Sequence, residues 1–170
     1  VYGTPLEARS GYLKGDHDYF GVRFSLGVTP DFVNVSVDDL VDHQVGFLDA
    51  VAGAEPVFDQ IVNQPEFAGK VALLEQFLRG KSVRKISQLT LNAVHRICEE
   101  KGDICLTQLE EQTGYCGRTL QRQFLTDLGM SPKAFSRIVR CQSAIYDINH
   151  RDDVAFSDLA CDLGFSDQPH

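Results

Sequence analysis

Two eleven-residue segments of this chain correspond at a constant offset of 50 residues. They are Leu106-Thr107-Gln108-Leu109-Glu110-Glu111-Gln112-Thr113-Gly114-Tyr115-Cys116 and Phe156-Ser157-Asp158-Leu159-Ala160-Cys161-Asp162-Leu163-Gly164-Phe165-Ser166. A chain that repeats such a pattern builds the same supersecondary unit twice, and the residue types say which unit. Thr107 and Ser157 are hydroxyl side chains suited to accept from the free N–H groups of a helix start. Thr107-Gln108-Leu109-Glu110 also has the form of a capping box. Leu109 and Leu159 face inward. Gly114 and Gly164 end each short helix where the chain needs a left-handed residue. Tyr115 or Phe165 then plugs the turn, and Cys116 or Ser166 caps the next helix. Two helices joined in this way form a helix-turn-helix.

In the first copy the second helix is expected over Gly117–Leu128. Leu120, Phe124 and Leu128 recur every four residues and point inward, which leaves Arg118, Thr119, Gln121 and Arg122 on the outer, N-terminal face. A recognition helix presents side chains to base edges in the major groove from this position. Arginine pairs bidentately with guanine and glutamine with adenine. The competing reading is a small helical bundle that Arg118 and Arg122 merely solvate.

Charge is distributed unevenly. Residues 1–80 hold 5 Lys+Arg against 12 Asp+Glu, whereas residues 81–170 hold 11 against 12, within a total of −8. Between Tyr115 and Arg140 lie five cations (Arg118, Arg122, Lys133, Arg137, Arg140) and one anion, Asp127. An acidic front half repels a polyanion, while this local patch suits one.

The stretch Thr113-Gly114-Tyr115-Cys116-Gly117-Arg118-Thr119-Leu120-Gln121-Arg122-Gln123-Phe124, then Leu128-Gly129-Met130-Ser131-Pro132-Lys133-Ala134-Phe135 and Arg140, resembles the AraC/XylS family of bacterial transcription regulators. So does Leu159-Ala160-Cys161-Asp162-Leu163-Gly164-Phe165-Ser166-Asp167-Gln168. The resemblance covers about residues 85–170. It implies two helix-turn-helix units joined by one long helix, here from Pro132 to about Ile148, with proline in its first turn as geometry favours. Carried over by position, Arg118, Gln121 and Arg122 read bases in the first unit. Thr119 and Arg140 are weaker candidates, for phosphate contact or packing, and Lys133 is expected to weaken binding to all sequences alike when removed. Gln168 and His170 belong to the start of the second recognition helix. That helix is cut off at His170, so the second unit is expected to be incomplete. Glu110 stands where the family usually has a small residue close to the facing helix, and its capping role is expected to keep the carboxylate outside. The implied partners are double-stranded DNA, RNA polymerase, a second copy of the chain and an unidentified small-molecule effector, in the cytoplasm.

The front half reads differently. Tyr19-Phe20-Gly21-Val22-Arg23-Phe24 and Phe32-Val33-Asn34-Val35-Ser36-Val37 have strand-like alternation, punctuated by Gly11, Gly15, Gly27 and Pro30. Asp38–Asp42 resembles a short acidic helix start. From Pro65 the period changes: Phe67, Val71, Leu74, Phe77 and Leu78 make one face of an amphipathic helix ending at Gly80. Gly80–Lys85 is a polar, basic joint. The expected fold class is therefore α+β. The resemblance implies that residues 1–64 are the end of a β-rich, cupin-like sensing or dimerisation domain, too short by itself to close a barrel. Residues 65–85 are a connecting helix and linker, and 86–170 an all-α DNA-binding domain. The alternative function is a small-molecule or metal-binding cupin-like sensor without DNA affinity.

Other chemistries find little support. Cys98, Cys105, Cys116, Cys141 and Cys161 are odd in number and scattered without a Cys-x-x-Cys pair, which fits reduced thiols rather than zinc or disulfides. Asp16-His17-Asp18 with Asp38, Asp39, Asp42 and His43 has ligand types for a metal but no recognisable spacing, so neither metal nor cofactor is expected. His95 reads as a packed or edge histidine and His150 as a helix-end cap. No phosphate loop occurs, nothing pairs a cysteine with a histidine, and enzymatic activity is not expected. No apolar run approaches the roughly 20 residues of a membrane span. The N-terminus, with no initiator methionine, has no signal-peptide pattern.

Overall fold

A computed structural model of the chain describes residues 1–7, 15, 20–25, 27–28, 30–150 and 158. Among them eight helices follow in order: α1 (Val37–Leu40), α2 (Phe47–Ala50), α3 (Glu55–Asn63), α4 (Phe67–Arg79), α5 (Gln88–Glu99), α6 (Leu106–Thr113), α7 (Gly117–Leu128) and α8 (Pro132–His150). The chain divides into two compact units, Val1–Lys85 and Ile86–His170.

The first unit corrects the expected fold class. Among the described residues there is no strand and no sheet, only the isolated bridges Tyr2–Gln44 and Pro30–Val83. The β-rich, cupin-like segment is therefore not present there. The alternation that suggested a strand at 32–37 is nevertheless real as a burial pattern. Val33 and Val37 are buried while Asn34 and Ser36 are exposed. A period of two sets which side chains face the core, but a strand also needs a partner for its backbone. Here Asn34 N–H donates to the Ala50 carbonyl (2.7 Å), and the chain then turns into α1, where the Ser36 hydroxyl accepts from Asp39 N–H. Phe20, Val22 and Phe24 are exposed by 37, 49 and 37%, without ladder partners. Phe20 meets Phe67 edge-on and Phe24 lies against Phe32, so the aromatics that read as strand residues serve as packing rings.

The core of this unit is Val33, Leu40, Ala50, Val51 and Ala54, with Phe32, Phe47 and Phe77 packed on it. α4 matches the expected amphipathic helix and packs on α3, and neither helix has a fully buried residue. The joint at Gly80–Lys85 is not a free linker. Lys81 places its ammonium 4.6 Å from the centre of the Phe77 ring, and Ser82 bonds Asp31 through both backbone and side chain (3.1 Å each).

The second unit is helical throughout its described part. α5 contacts α6, α7 and α8, and α7 contacts α6 and α8. Ala93, Ile97, Leu109, Leu120, Phe124, Phe135 and Val139 form its apolar interior. Phe124 and Phe135 meet edge-to-face with centroids 6.0 Å apart, joining α7 to α8. α5 ends in a Schellman arrangement. Gly102 N–H reaches the Ile97 carbonyl (2.8 Å) and Lys101 N–H reaches that of Cys98 (3.1 Å), with both residues at positive φ.

One buried ion orders this unit. Asp127 is 8% exposed, and its Oδ2 accepts from Thr90 Oγ1 (2.6 Å), Ser87 Oγ (2.8 Å), Ser87 N–H (3.1 Å) and Gln123 Nε2 (3.2 Å). Burial pushes the carboxyl upward, but the bonds from Thr90, Ser87 and Gln123 together outweigh it and hold it below its ordinary value of 3.8. A carboxyl with a lowered folded value stabilises fully above the ordinary value, and that stabilisation is lost as pH falls through the folded one. Asp127→Asn is therefore expected to weaken the unit by roughly 1.5–3 kcal/mol at neutral pH, read as faster amide exchange in α5 and α7. The variant's deficit relative to wild type should shrink as pH drops below about 4; an equal deficit at pH 7 and pH 2 would refute the ionic role.

Two glycines should separate strain from collision. Gly114, at φ +74°, has open space where a Cβ would project, so Gly114→Ala is expected to cost only about 1 kcal/mol. At Gly102, φ +84°, the added carbon would strike the Ser136 carbonyl and approach Arg140 N to 2.7 Å on α8. Gly102→Ala should cost more than about 3 kcal/mol in denaturant unfolding, since neither obstacle is a movable side-chain end.

Candidate nucleic-acid interface

The turn between α6 and α7 is built much as the repeat implied, with its caps redistributed. α6 begins two residues earlier than the hydroxyl pattern suggested. Cys105 is its N-cap, and Gln108 Oε1 accepts from Cys105 N–H (2.8 Å), so the expected Thr107–Glu110 capping box does not form. Gly114 ends the helix in the left-handed region, its N–H on the Glu110 carbonyl (2.8 Å). Tyr115 does not plug the turn, being 50% exposed.

Glu110 is thereby released for another task. Its Oε1 accepts from the backbone N–H of Gly117, the first residue of α7. A carboxylate at that end satisfies a donor the helix cannot pair internally and also faces the positive end of the helix dipole. Gly117 is buried, and a Cβ there would press on Leu106 Cδ2 and Glu110 Oε1, both at 2.9 Å. Cys116 occupies the N-cap of α7. Its thiol lies 3.3 Å from Thr119 Oγ1, and that contact, with the backbone N–H groups of Thr119 and Arg118, holds the thiol below its ordinary value.

α7 sorts its side chains as the spacing of four requires. Leu120 and Phe124 are fully buried and Leu128 is 6% exposed. Arg118, Gln121 and Arg122 are exposed and Thr119 is half-buried. These four line one shallow hollow of about 470 Å³ with Cys116 and Leu125. Gln121 also borders a neighbouring cleft of about 640 Å³ between α6 and α8, lined by apolar Leu106, Leu109 and Pro132 and by the cations Lys133, Arg137 and Arg140. The five cations of the basic stretch thus share two adjoining hollows. Asp127, the one anion of that stretch, is turned into the interior.

Not every candidate side chain is equally available. Lys133 and Arg137 are exposed on the first turns of α8. Arg140 is 23% exposed; its Nη2 donates to the Gly102 carbonyl (2.9 Å) and lies 3.4 Å from Asp103 Oδ1. It clamps α8 to the loop after α5, which favours its packing role. Gln168, His170 and the second copy of the repeat, apart from Asp158, lie outside the described residues. In the sequence Glu110 reads as part of a capping box, and nothing there singles out Leu125. Arg137 was visible only as a charge.

Residues weighed for other chemistry are engaged locally. Ser36 Oγ donates to Asp39 (2.8 Å), Asp42 accepts from Leu6 N–H (2.8 Å), and His43 Nδ1 donates to the Val41 carbonyl (2.7 Å). Among the described residues no three His, Cys, Asp or Glu side chains are grouped to hold a metal. The acidic triplet at 16–18 lies outside them. His95 is exposed rather than packed, 3.1 Å from Glu99. His150, expected to follow a helix end, lies within α8, where it stacks on Tyr146 and bonds its carbonyl (2.8 Å). Cys98, Cys105, Cys116 and Cys141 are free thiols. Among the described residues no helix is long and apolar enough to cross a membrane.

The Glu110 cap should be measurable. Glu110→Ala is expected to cost about 1 kcal/mol and to accelerate exchange of the Gly117 amide more than that of Phe124. Uniform acceleration along α7 would argue against a local cap.

Comparison with protein-family models, with curated proteins and with solved structures finds no match to this chain.

Proposed function

We propose that this chain is a sequence-specific DNA-binding transcriptional regulator of the AraC/XylS type, working in the cytoplasm and reading the major groove with α7. One observation supports it most: Arg118, Gln121 and Arg122 share the outer face of a helix whose opposite face is fully buried, beside a cleft edged by Lys133 and Arg137. In this reading Arg118 and Arg122 address guanine O6 and N7, and Gln121 addresses adenine N6 and N7. Lys133 and Arg137 hold phosphates, which fixes register without reading sequence. Thr119 borders the reading surface. RNA polymerase, a second copy of the chain and a small-molecule effector are the further partners that the family resemblance implies.

The reading separates base contacts from phosphate contacts. Selection from a random duplex pool, followed by fluorescence anisotropy, is expected to enrich a motif. Arg122→Ala should then lose preference at one or two base pairs, by roughly 5- to 150-fold at each. Lys133→Ala should weaken selected and random duplexes alike and lower the salt slope by about one. Equal losses on both duplexes for Arg122→Ala would sink the assignment of α7 as the reading helix.

A further inference from the structure

We propose that Leu125 is a specificity-determining residue that reads the C5-methyl group of a thymine; this rests on the proposed DNA-reading role of α7. The leucines and phenylalanine that α7 spends on its core are at 120, 124 and 128, and all are buried. Leu125 breaks that register. It is 53% exposed and lines the same hollow as Cys116, Arg118, Thr119, Gln121 and Arg122. Seven residues separate it from Arg118, two helical turns that return nearly to the same angle, so the two mark the ends of one outward stripe about 10 Å long. That length matches about three base-pair steps.

An apolar side chain within a cationic hollow suits an apolar group on whatever the hollow receives, and its surroundings restrict which. The hollow has two arginines and no carboxylate, so a neutral apolar protein face would bury Arg118 and Arg122 without partners, at a high desolvation cost. The occupant must bring negative charge around a small apolar group. In the major groove only thymine offers a methyl group among phosphates, and an aliphatic contact is how it is read. Gln121, one turn before Leu125, and Arg122, three residues before it, supply the polar readout of adjoining bases. Leu125 adds the one distinction hydrogen bonds do not make there.

The test uses the full chain and its selected duplex, with each thymine of the motif replaced in turn by deoxyuridine. This exchange removes the methyl and leaves every pairing group. One position is expected at which the wild-type chain loses about fourfold in affinity, the value of one buried methyl. Leu125→Ala should bind thymine and deoxyuridine equally there while keeping its Arg122-dependent preferences. Leu125→Met, still long and apolar, should restore the discrimination. Indifference of the wild-type chain to every replacement overturns the proposal, as does a Leu125→Ala variant that still discriminates. A pool that yields no motif would instead overturn the DNA-reading function and this inference with it, so the two failures are distinguishable.

Discussion

The second unit depends on a carboxylate that is largely withdrawn from water. Asp127 lies near the end of α7 and accepts every bond on one oxygen, from the residues that start α5 and from Gln123 on its own helix. A buried carboxylate without donors would take up a proton or pull the site open. Here the donors are fixed in place because Ser87 is also the N-cap of α5, its hydroxyl accepting from Thr90 N–H (3.1 Å). The end of α7 is the negative end of its dipole and repels the charge, while the start of α5 attracts it. The bond set therefore holds the two helices in one register. Apolar packing of Ile97 and Leu120 alone would tolerate sliding more readily.

That register also decides what the surface displays. With Asp127 pointing in, the stretch from Tyr115 to Arg140 shows only cations to solvent, in a chain whose net charge is −8. A potential of that kind is local. It falls off within about 10 Å at moderate salt, so a polyanion would be held by close contacts rather than drawn in from afar. The cost of burying one carboxylate is thus tied to the cleanliness of the outer face.

Much of the second unit was legible because its signals are local. The period of four in α7, the glycine turn at Gly114 and the proline start of α8 each follow from backbone geometry within a few residues. Cap assignments were less legible. Thr107 and Cys105 both precede plausible first turns, and the choice falls to Gln108, whose side chain reaches back to Cys105 N–H. The first unit misled because alternation at 32–37 encodes burial, not pairing. Whether Val33 and Val35 lie in a strand depends on a partner elsewhere in the chain, and the Ala50 carbonyl supplied a single bond instead of a ladder. Within the polar joint the sequence did not show that Lys81, though exposed, lies over the rings of Phe77 and Phe32.

Glu110 limits how α7 would meet a duplex. Helix N-termini ordinarily attract phosphate, because unpaired N–H groups and the dipole converge there. At α7 that place is taken from within, the Glu110 carboxylate lying on Gly117 N–H. A phosphate brought to the same end would meet a like charge before it met a donor. In the proposed role, phosphate contact would then be displaced toward the start of α8, where Lys133 and Arg137 are exposed and Ser131 Oγ already caps Ala134 N–H (3.2 Å). In the proposed DNA-reading role, with the backbone anchored on α8 and excluded from the first turn of α7, Arg118, Gln121, Arg122 and Leu125, which line one hollow, would be left to face base edges. On that proposal the Glu110 carboxylate, by occupying Gly117 N–H, would separate the two tasks, anchoring and reading, onto two helices.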